Sequence, residues 1–314
     1  MADVIKKATR EAYGEALVEV AQDYPDLVVL DADLAGATKT GTFKKAYPDR
    51  FFDCGIAEGN MMSLAAGIAA AGRHVFASSF AMFAAGRAYE QVRNEIGYTH
   101  MNVKIGATHA GITVGEDGAT HQCCEDIALM RTIPGMVVLN PADGVEARLA
   151  VKAAIEYKGP VYLRFGRMAV PYVYGDDYKF EIGKASVLAD GGDVAIMATG
   201  IEVEQALAAR ELLAAEGVSA SVVNISTIKP LDSETVTAMA KKCGAVVTCE
   251  EHTVIGGLGA AVCETLAETC PVPVLRVGVE DVFGRSGPAK ELVSYFGLDA
   301  AAITDRAKRA IALK

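Results

Sequence analysis

Phe51-Phe52-Asp53-Cys54-Gly55-Ile56-Ala57-Glu58-Gly59-Asn60, running on through Met61 to Gly72, is the stretch that decides the fold. Its first residues form an apolar run that suits a short strand. Its second half is mostly Ala, Gly, Leu and Ile, a helix that is apolar nearly all round and is therefore expected to be buried. Glu58 stands alone at the mouth of that helix. Such a carboxylate has two readings: a first-turn charge that complements the helix dipole, or a group kept in a dry place for proton chemistry.

The same strand-to-helix rhythm extends in both directions. Strands are expected at Leu27–Leu30, Phe51–Asp53, His74–Ala77, Asn102–Ala107, Met136–Leu139 and Val161–Arg164. Helical patterns fill the gaps at Lys6–Asp23, Met61–Ala71, Ala84–Ile96, Cys124–Thr132 and Gly144–Tyr157. Strands alternating with helices predict a parallel sheet covered on both faces. The rhythm breaks at Pro171–Tyr178, then restarts with strands at Asp193–Ala198, Ser219–Asn224, Ala245–Cys249 and Val272–Val277, and helices at Glu202–Glu216, Asp232–Lys242 and near Gly257–Glu268. The expectation is an α/β chain of two doubly wound domains, residues 1–175 and a smaller 188–314.

Composition sets the outer limits. The 314 residues are 51% hydrophobic, enough for two ordinary cores. No apolar run is long enough to span a bilayer, and Met1–Arg10 has no signal-peptide core, so no membrane role and a cytoplasmic location are expected. A formal net charge of −10 opposes non-specific nucleic-acid binding. It leaves room for phosphorylated small molecules, which a local Arg or Lys cluster can hold. The seven Cys contain no C-x-x-C pair, so they read as buried thiols in a reducing compartment, and no protein-held metal is expected.

Four clusters could carry chemistry. Thr108-His109 and Gly115-Glu116-Asp117-Gly118-Ala119-Thr120-His121-Gln122 follow a strand, where open α/β sheets bind ligands. Two His and two acids there suit acid–base and hydrogen-bond work better than metal ligation, and a solvated polar loop is the plain alternative. Arg164 and Arg167 flank Phe165-Gly166 at a strand end, which suits capture of phosphate or carboxylate, or a mere surface ion pair. Phe80, Phe83 and Tyr89 are spaced as core aromatics or as a platform for a flat heterocycle. Gly256-Gly257-Leu258-Gly259 lacks the full dinucleotide fingerprint and reads as a tight strand-to-helix turn.

Taken in order, Gly55-Ile56-Ala57-Glu58, the aromatic segment Phe80–Tyr89 and the G-E-D-G-A-T-H-Q run resemble the C-terminal two-thirds of a transketolase. The resemblance implies a pyrimidine-binding domain followed by the family's C-terminal domain, thiamine diphosphate as cofactor, and transfer of a two-carbon ketol group between sugar phosphates. It implies that Glu58 hydrogen-bonds N1' of the cofactor's aminopyrimidine, favouring the imino tautomer that deprotonates the thiazolium. It places Phe80 and Phe83 against the pyrimidine and Asp33 near the cofactor at a subunit interface. It assigns His109, Asp117 and His121 to the sugar's hydroxyls and carbonyl, with the two His as catalytic donors, and Arg167 to the sugar phosphate, assisted by Arg164.

Three departures qualify this pattern. The family's diphosphate motif, G-D-G followed by an Asn, is absent, so the diphosphate and its Mg²⁺ are expected on a separate N-terminal subunit, in a heterotetramer of two plus two. The Phe80–Arg87 segment carries one residue more than many relatives, placing Gly86 in the extra space. A family Ser that helps bind phosphate aligns near Ala37. A deoxyxylulose-5-phosphate synthase and the beta subunit of a 2-oxoacid dehydrogenase first component are the alternative relatives.

Overall fold

The computed structural model describes residues 5–314; the first four residues of the expected domain, and of the start segment Met1–Arg10, lie outside the described residues. Among the described residues the strands are β1 Lys6–Ala8, β2 Val28–Asp31, β3 Phe51–Asp53, β4 Val75–Phe80, β5 Val103–Thr108, β6 Val137–Leu139, β7 Val161–Arg164, β8 Ala169–Pro171, β9 Ser186–Ala189, β10 Val194–Ala198, β11 Ala220–Asn224, β12 Thr227–Lys229, β13 Val246–Thr253 and β14 Val274–Val279. A seven-stranded sheet runs β12-β6-β7-β5-β4-β2-β3, parallel except for β12 at one edge. A five-stranded sheet runs β14-β13-β10-β11-β9, with β9 antiparallel. Every residue of β4, β5 and β7 is buried, as strands covered on both faces must be.

Helices cover both faces of the first sheet. One layer packs Met61, Met62, Ala65, Val92 and Ile127 against it; the opposite layer packs Tyr13, Leu17, Phe43, Ala147 and Val151. The second sheet is likewise enclosed, by Val203, Leu213 and Ile303 on one side and Val236, Met239 and Val262 on the other. The two sheets do not part cleanly along the chain, because β12, from the second half, completes the edge of the first sheet by pairing with β6.

Three local expectations need correction. The first helix begins at Thr9, not Lys6; Lys6–Ala8 is drawn into antiparallel pairing with Ala169–Pro171, a long-range contact that local pattern cannot encode. The helix Glu58–Ala70 is not buried all round: Met61, Met62, Ala65 and Ala69 face the core, while Leu64, Gly67 and Ala70 face outward. The segment after Phe80 is not a plain α-helix. It contains two π-helical turns, Met82–Arg87 and Val92–Gly97. A π turn holds one residue more than the α-helical turn it replaces.

No helix among the described residues is long and apolar enough to cross a membrane. All seven Cys are free thiols; Cys123, Cys124, Cys243 and Cys249 are buried, and burial pushes each of them above the ordinary thiol range.

Candidate active site

The carboxyl ends of β2, β3, β4, β5 and β7 lead directly to Asp33, Glu58, Phe80, His109 and Arg167. This is where a parallel sheet opens a crevice for ligands. Asp31, at the end of β2, is buried and accepts from the Leu34 N–H at 2.6 Å and from the Thr38 and Thr40 hydroxyls at 2.7 and 2.8 Å. Burial raises its pKa. It fixes the turn that carries Asp33, which is exposed and held at φ 63.

Glu58 opens its helix and is 1% exposed. Its Oε2 accepts from Arg87 Nη1 at 2.8 Å. The Arg87 guanidinium lies 4.6 Å from the centre of the Phe83 ring. Phe83 and Phe80 lie nearly parallel, with centroids 5.9 Å apart. Phe80 stacks on His109 at 3.9 Å, and His121 sets its ring edge-on to Phe83 at 5.4 Å. With Arg87 as the link between Glu58 and Phe83, Glu58, Phe83, Phe80, His109 and His121 form one continuous group, drawn from four separate segments. Asp117 is exposed in the same loop as His121.

His109 is held in one protonation state. Arg10 Nη1 donates to its Nε2 at 3.0 Å, so Nε2 carries a lone pair. The proton then sits on Nδ1, which donates to the Thr108 hydroxyl at 2.9 Å. Burial, with the charges of Arg10, Arg167 and Lys39 nearby, lowers its pKa from 6.5 to about 3. The ring is therefore neutral, and in this arrangement it is not the free donor expected from sequence. Its backbone is strained, at φ 55. His121 bonds only through Nδ1, to the Thr120 hydroxyl at 2.9 Å.

The two expected arginines part company. Arg167 is partly exposed, bonds the Val114 carbonyl, and pairs with Glu116 at 2.8 Å. Arg164 is not available to a substrate. It is buried, pairs with Asp126 at 2.9 Å, and donates to the Glu251 carbonyl at 2.8 Å. These partners and the Cys123 carbonyl, which it also reaches at 3.5 Å, belong to the protein interior, so it ties the two halves together.

Arg87, Arg10 and Lys39 escaped the sequence reading. Arg87 stands four residues after Phe83 in a stretch already marked as a platform, so that spacing was a usable signal. Arg10 reaches a His 99 positions away, and no local pattern encodes such a pairing. The Gly256-Gly257-Leu258-Gly259 turn is closed to phosphate: the Glu250 carboxylate accepts from the Leu258 and Gly259 N–H groups at 2.6 and 2.8 Å, filling the helix N-terminus. Among the described residues no group of three or more His, Cys, Asp or Glu side chains is placed to hold a metal.

The transketolase pyrimidine-binding domain family matches residues 5–173, and the transketolase C-terminal domain family matches residues 183–303. The chain belongs to the transketolase family. A protein of Methanocaldococcus jannaschii described as a transketolase C-terminal section is 52% identical over 96% of this chain and 96% of its own length. A 6-deoxy-6-sulfo-D-fructose transketolase subunit of Clostridium sp. is 45% identical over 93% of this chain and 90% of its own. One of the subunits of an apulose-4-phosphate transketolase from Phocaeicola vulgatus is 40% identical, covering 93% and 94%. A solved split gene transketolase, an inactive beta4 tetramer, superimposes with a TM-score of 0.92 at 52% identity, covering 98% of this chain and 99% of that one.

Transketolases depend on thiamine diphosphate, and the residues of this transketolase chain fit one end of it. A buried carboxylate and a partly buried aromatic ring, both reached by Arg87, are the edge and face partners that a planar, polar-edged heterocycle needs.

Proposed function

We propose that this chain is the subunit of a two-chain transketolase that carries the pyrimidine end of thiamine diphosphate and the sugar site. With a separate subunit it transfers a two-carbon ketol unit from an anionic ketose to an aldose. The observation that carries this reading is the junction of buried Glu58, the Phe83 face, His121, His109 and a cation cluster at the strand ends of one sheet.

Thiamine diphosphate, when bound here, would supply nucleophilic chemistry toward a carbonyl carbon. Glu58 holds the aminopyrimidine edge and Phe83, with Phe80 behind it, holds its face. His121 is the donor toward the sugar's oxygen where charge develops. Neutral His109 offers no free N–H while Arg10 and Thr108 hold it, so its part is to shape the sugar pocket. Arg10, Lys39 and Arg167 concentrate positive charge near His109 on an otherwise acidic protein. Such a cluster suits an anionic sugar end, and the relatives named for a sulfonated and a phosphorylated sugar are consistent with it. Asp33 faces outward at the crevice, where a neighbouring subunit would meet it. The diphosphate and Mg²⁺ belong to a partner carrying the G-D-G motif, in an assembly of two plus two.

Reconstitution with a transketolase N-terminal subunit, thiamine diphosphate and Mg²⁺ tests this. Ketol transfer from xylulose 5-phosphate to an aldose is expected, and Glu58→Ala should reduce it about 10²–10⁴-fold. Release of CO2 from pyruvate without ketol transfer would overturn the reading in favour of a 2-oxoacid dehydrogenase component.

A further inference from the structure

Arg87 closes the π turn Met82–Arg87 and has no part in the chemistry above. Its guanidinium donates to Glu58 at 2.8 Å and lies over the Phe83 ring at 4.6 Å. These are the two groups assigned to the edge and the face of the cofactor's pyrimidine. A guanidinium is planar, carries N–H donors on its edge and stacks by its face, so it offers Glu58 and Phe83 the same two features as the pyrimidine in its N1'-protonated form. Arg87 occupies Glu58 Oε2 and one face of the Phe83 ring, so a pyrimidine seated on that oxygen and that face displaces it.

We propose that Arg87 is an internal stand-in for the pyrimidine: it pairs with Glu58 and covers Phe83 while the cofactor is away, and it leaves both when the cofactor enters. This inference rests on the transketolase reading of the site.

The surroundings suit such an exchange. Glu58 is buried, so without a partner its charge would be costly; Arg87 supplies the partner and lets the pocket keep its shape. The Arg87 side chain is 52% exposed, so it can return to water at little cost. It borders an open groove of about 910 Å³ that continues to Gln122, Ile255 and Phe283, which leaves room on the solvent side. The widened turn matters as well. Gly86 lets Met82 pack close, for a Cβ there would lie 2.3 Å from Met82 Cε, and this turn sets Arg87 beside the ring of Phe83.

The stand-in costs affinity, because only the fraction of molecules with Arg87 swung away can accept cofactor. Calorimetric titration of thiamine diphosphate into the reconstituted two-subunit complex, with Mg²⁺ present, should therefore show several-fold tighter binding for Arg87→Met than for wild type. Arg87→Lys, which keeps the charge and loses the planar stack, should fall between them. In thermal unfolding of the same complex, Arg87→Met should have a lower Tm without cofactor, and that deficit should vanish at saturating cofactor. Weaker or unchanged binding by Arg87→Met, or a Tm deficit that persists under saturation, would overturn the proposal while leaving the transketolase reading intact. A wild-type complex that binds no thiamine diphosphate would overturn that reading, and the stand-in with it.

Discussion

Arg164 and Arg167 lie three positions apart and do opposite work. Arg164 points into the interior, where its guanidinium neutralises Asp126, a carboxylate that also accepts from the Tyr162 hydroxyl at 2.9 Å. Arg167 reaches the loop of Glu116 and His121. Arg164→Met strands the Asp126 charge in the core, and urea denaturation should show a loss of about 3–5 kcal/mol. Arg167→Met removes a partly exposed charge, so stability should stay within about 0.5 kcal/mol while KM for the anionic sugar rises. Equal destabilisation by both would contradict this division. The sequence marks both as cations at a strand end; only their burial separates them. Glu58 stands out in the sequence as a single carboxylate at the mouth of an apolar helix, and its burial and its pairing with Arg87 appear only in the fold.

At the scale of the element, the site depends on how closely neighbouring segments approach. The helix Thr9–Val20, which presents Arg10 to His109, docks on the sheet through Tyr13. That ring is fully buried, stacked on Phe165 at 4.6 Å and bonded to the Ser78 hydroxyl at 2.6 Å. It rests directly on Gly106 in β5, where an added Cβ would lie 2.2 Å from the Tyr13 hydroxyl oxygen. Gly106→Ala should therefore cost about 1–3 kcal/mol in chemical denaturation, from overpacking alone. A stability equal to wild type would mean that the helix can lift off the sheet freely. The alternation of strands and helices was readable because buried parallel strands are continuous apolar runs. The π turns were not readable as such, since the side-chain pattern of a π turn does not separate it from an α-helical one. The Gly256–Gly259 turn was readable as a turn, and its purpose appears only when Glu250 is seen to occupy it.

At the scale of the molecule, the two halves are joined by buried polar contacts as well as by β12. Glu251, at the end of β13, accepts from the Thr113 N–H at 2.6 Å beside the site loop. Burial raises its pKa from 4.5 to about 7. The folded chain thus binds more protons here than the unfolded chain between those values, and the contribution to stability is full below pH 4.5 and lost as pH rises through 7. The denaturation midpoint at pH 5 minus that at pH 8, taken with its sign, should be lower in Glu251→Gln than in wild type. Comparing the two removes the opposite effect of His109, whose lowered pKa costs stability as pH falls from 6.5 towards 3. An identical gap in both would show that Glu251 titrates normally.

By itself the sequence determined the α/β rhythm, a lone carboxylate at the mouth of a helix, the loop that carries His121 and Asp117, and the absence of a diphosphate motif. These are local facts, written in hydrophobic period, glycine placement and short motifs. Tertiary structure alone decided which arginine faces the crevice, which nitrogen of His109 carries its proton, and that Arg87 holds Glu58 across 29 positions. The physical reason is the parallel sheet. It gathers the ends of strands that are distant in sequence into one crevice, and the contacts made there have no period for a linear pattern to record.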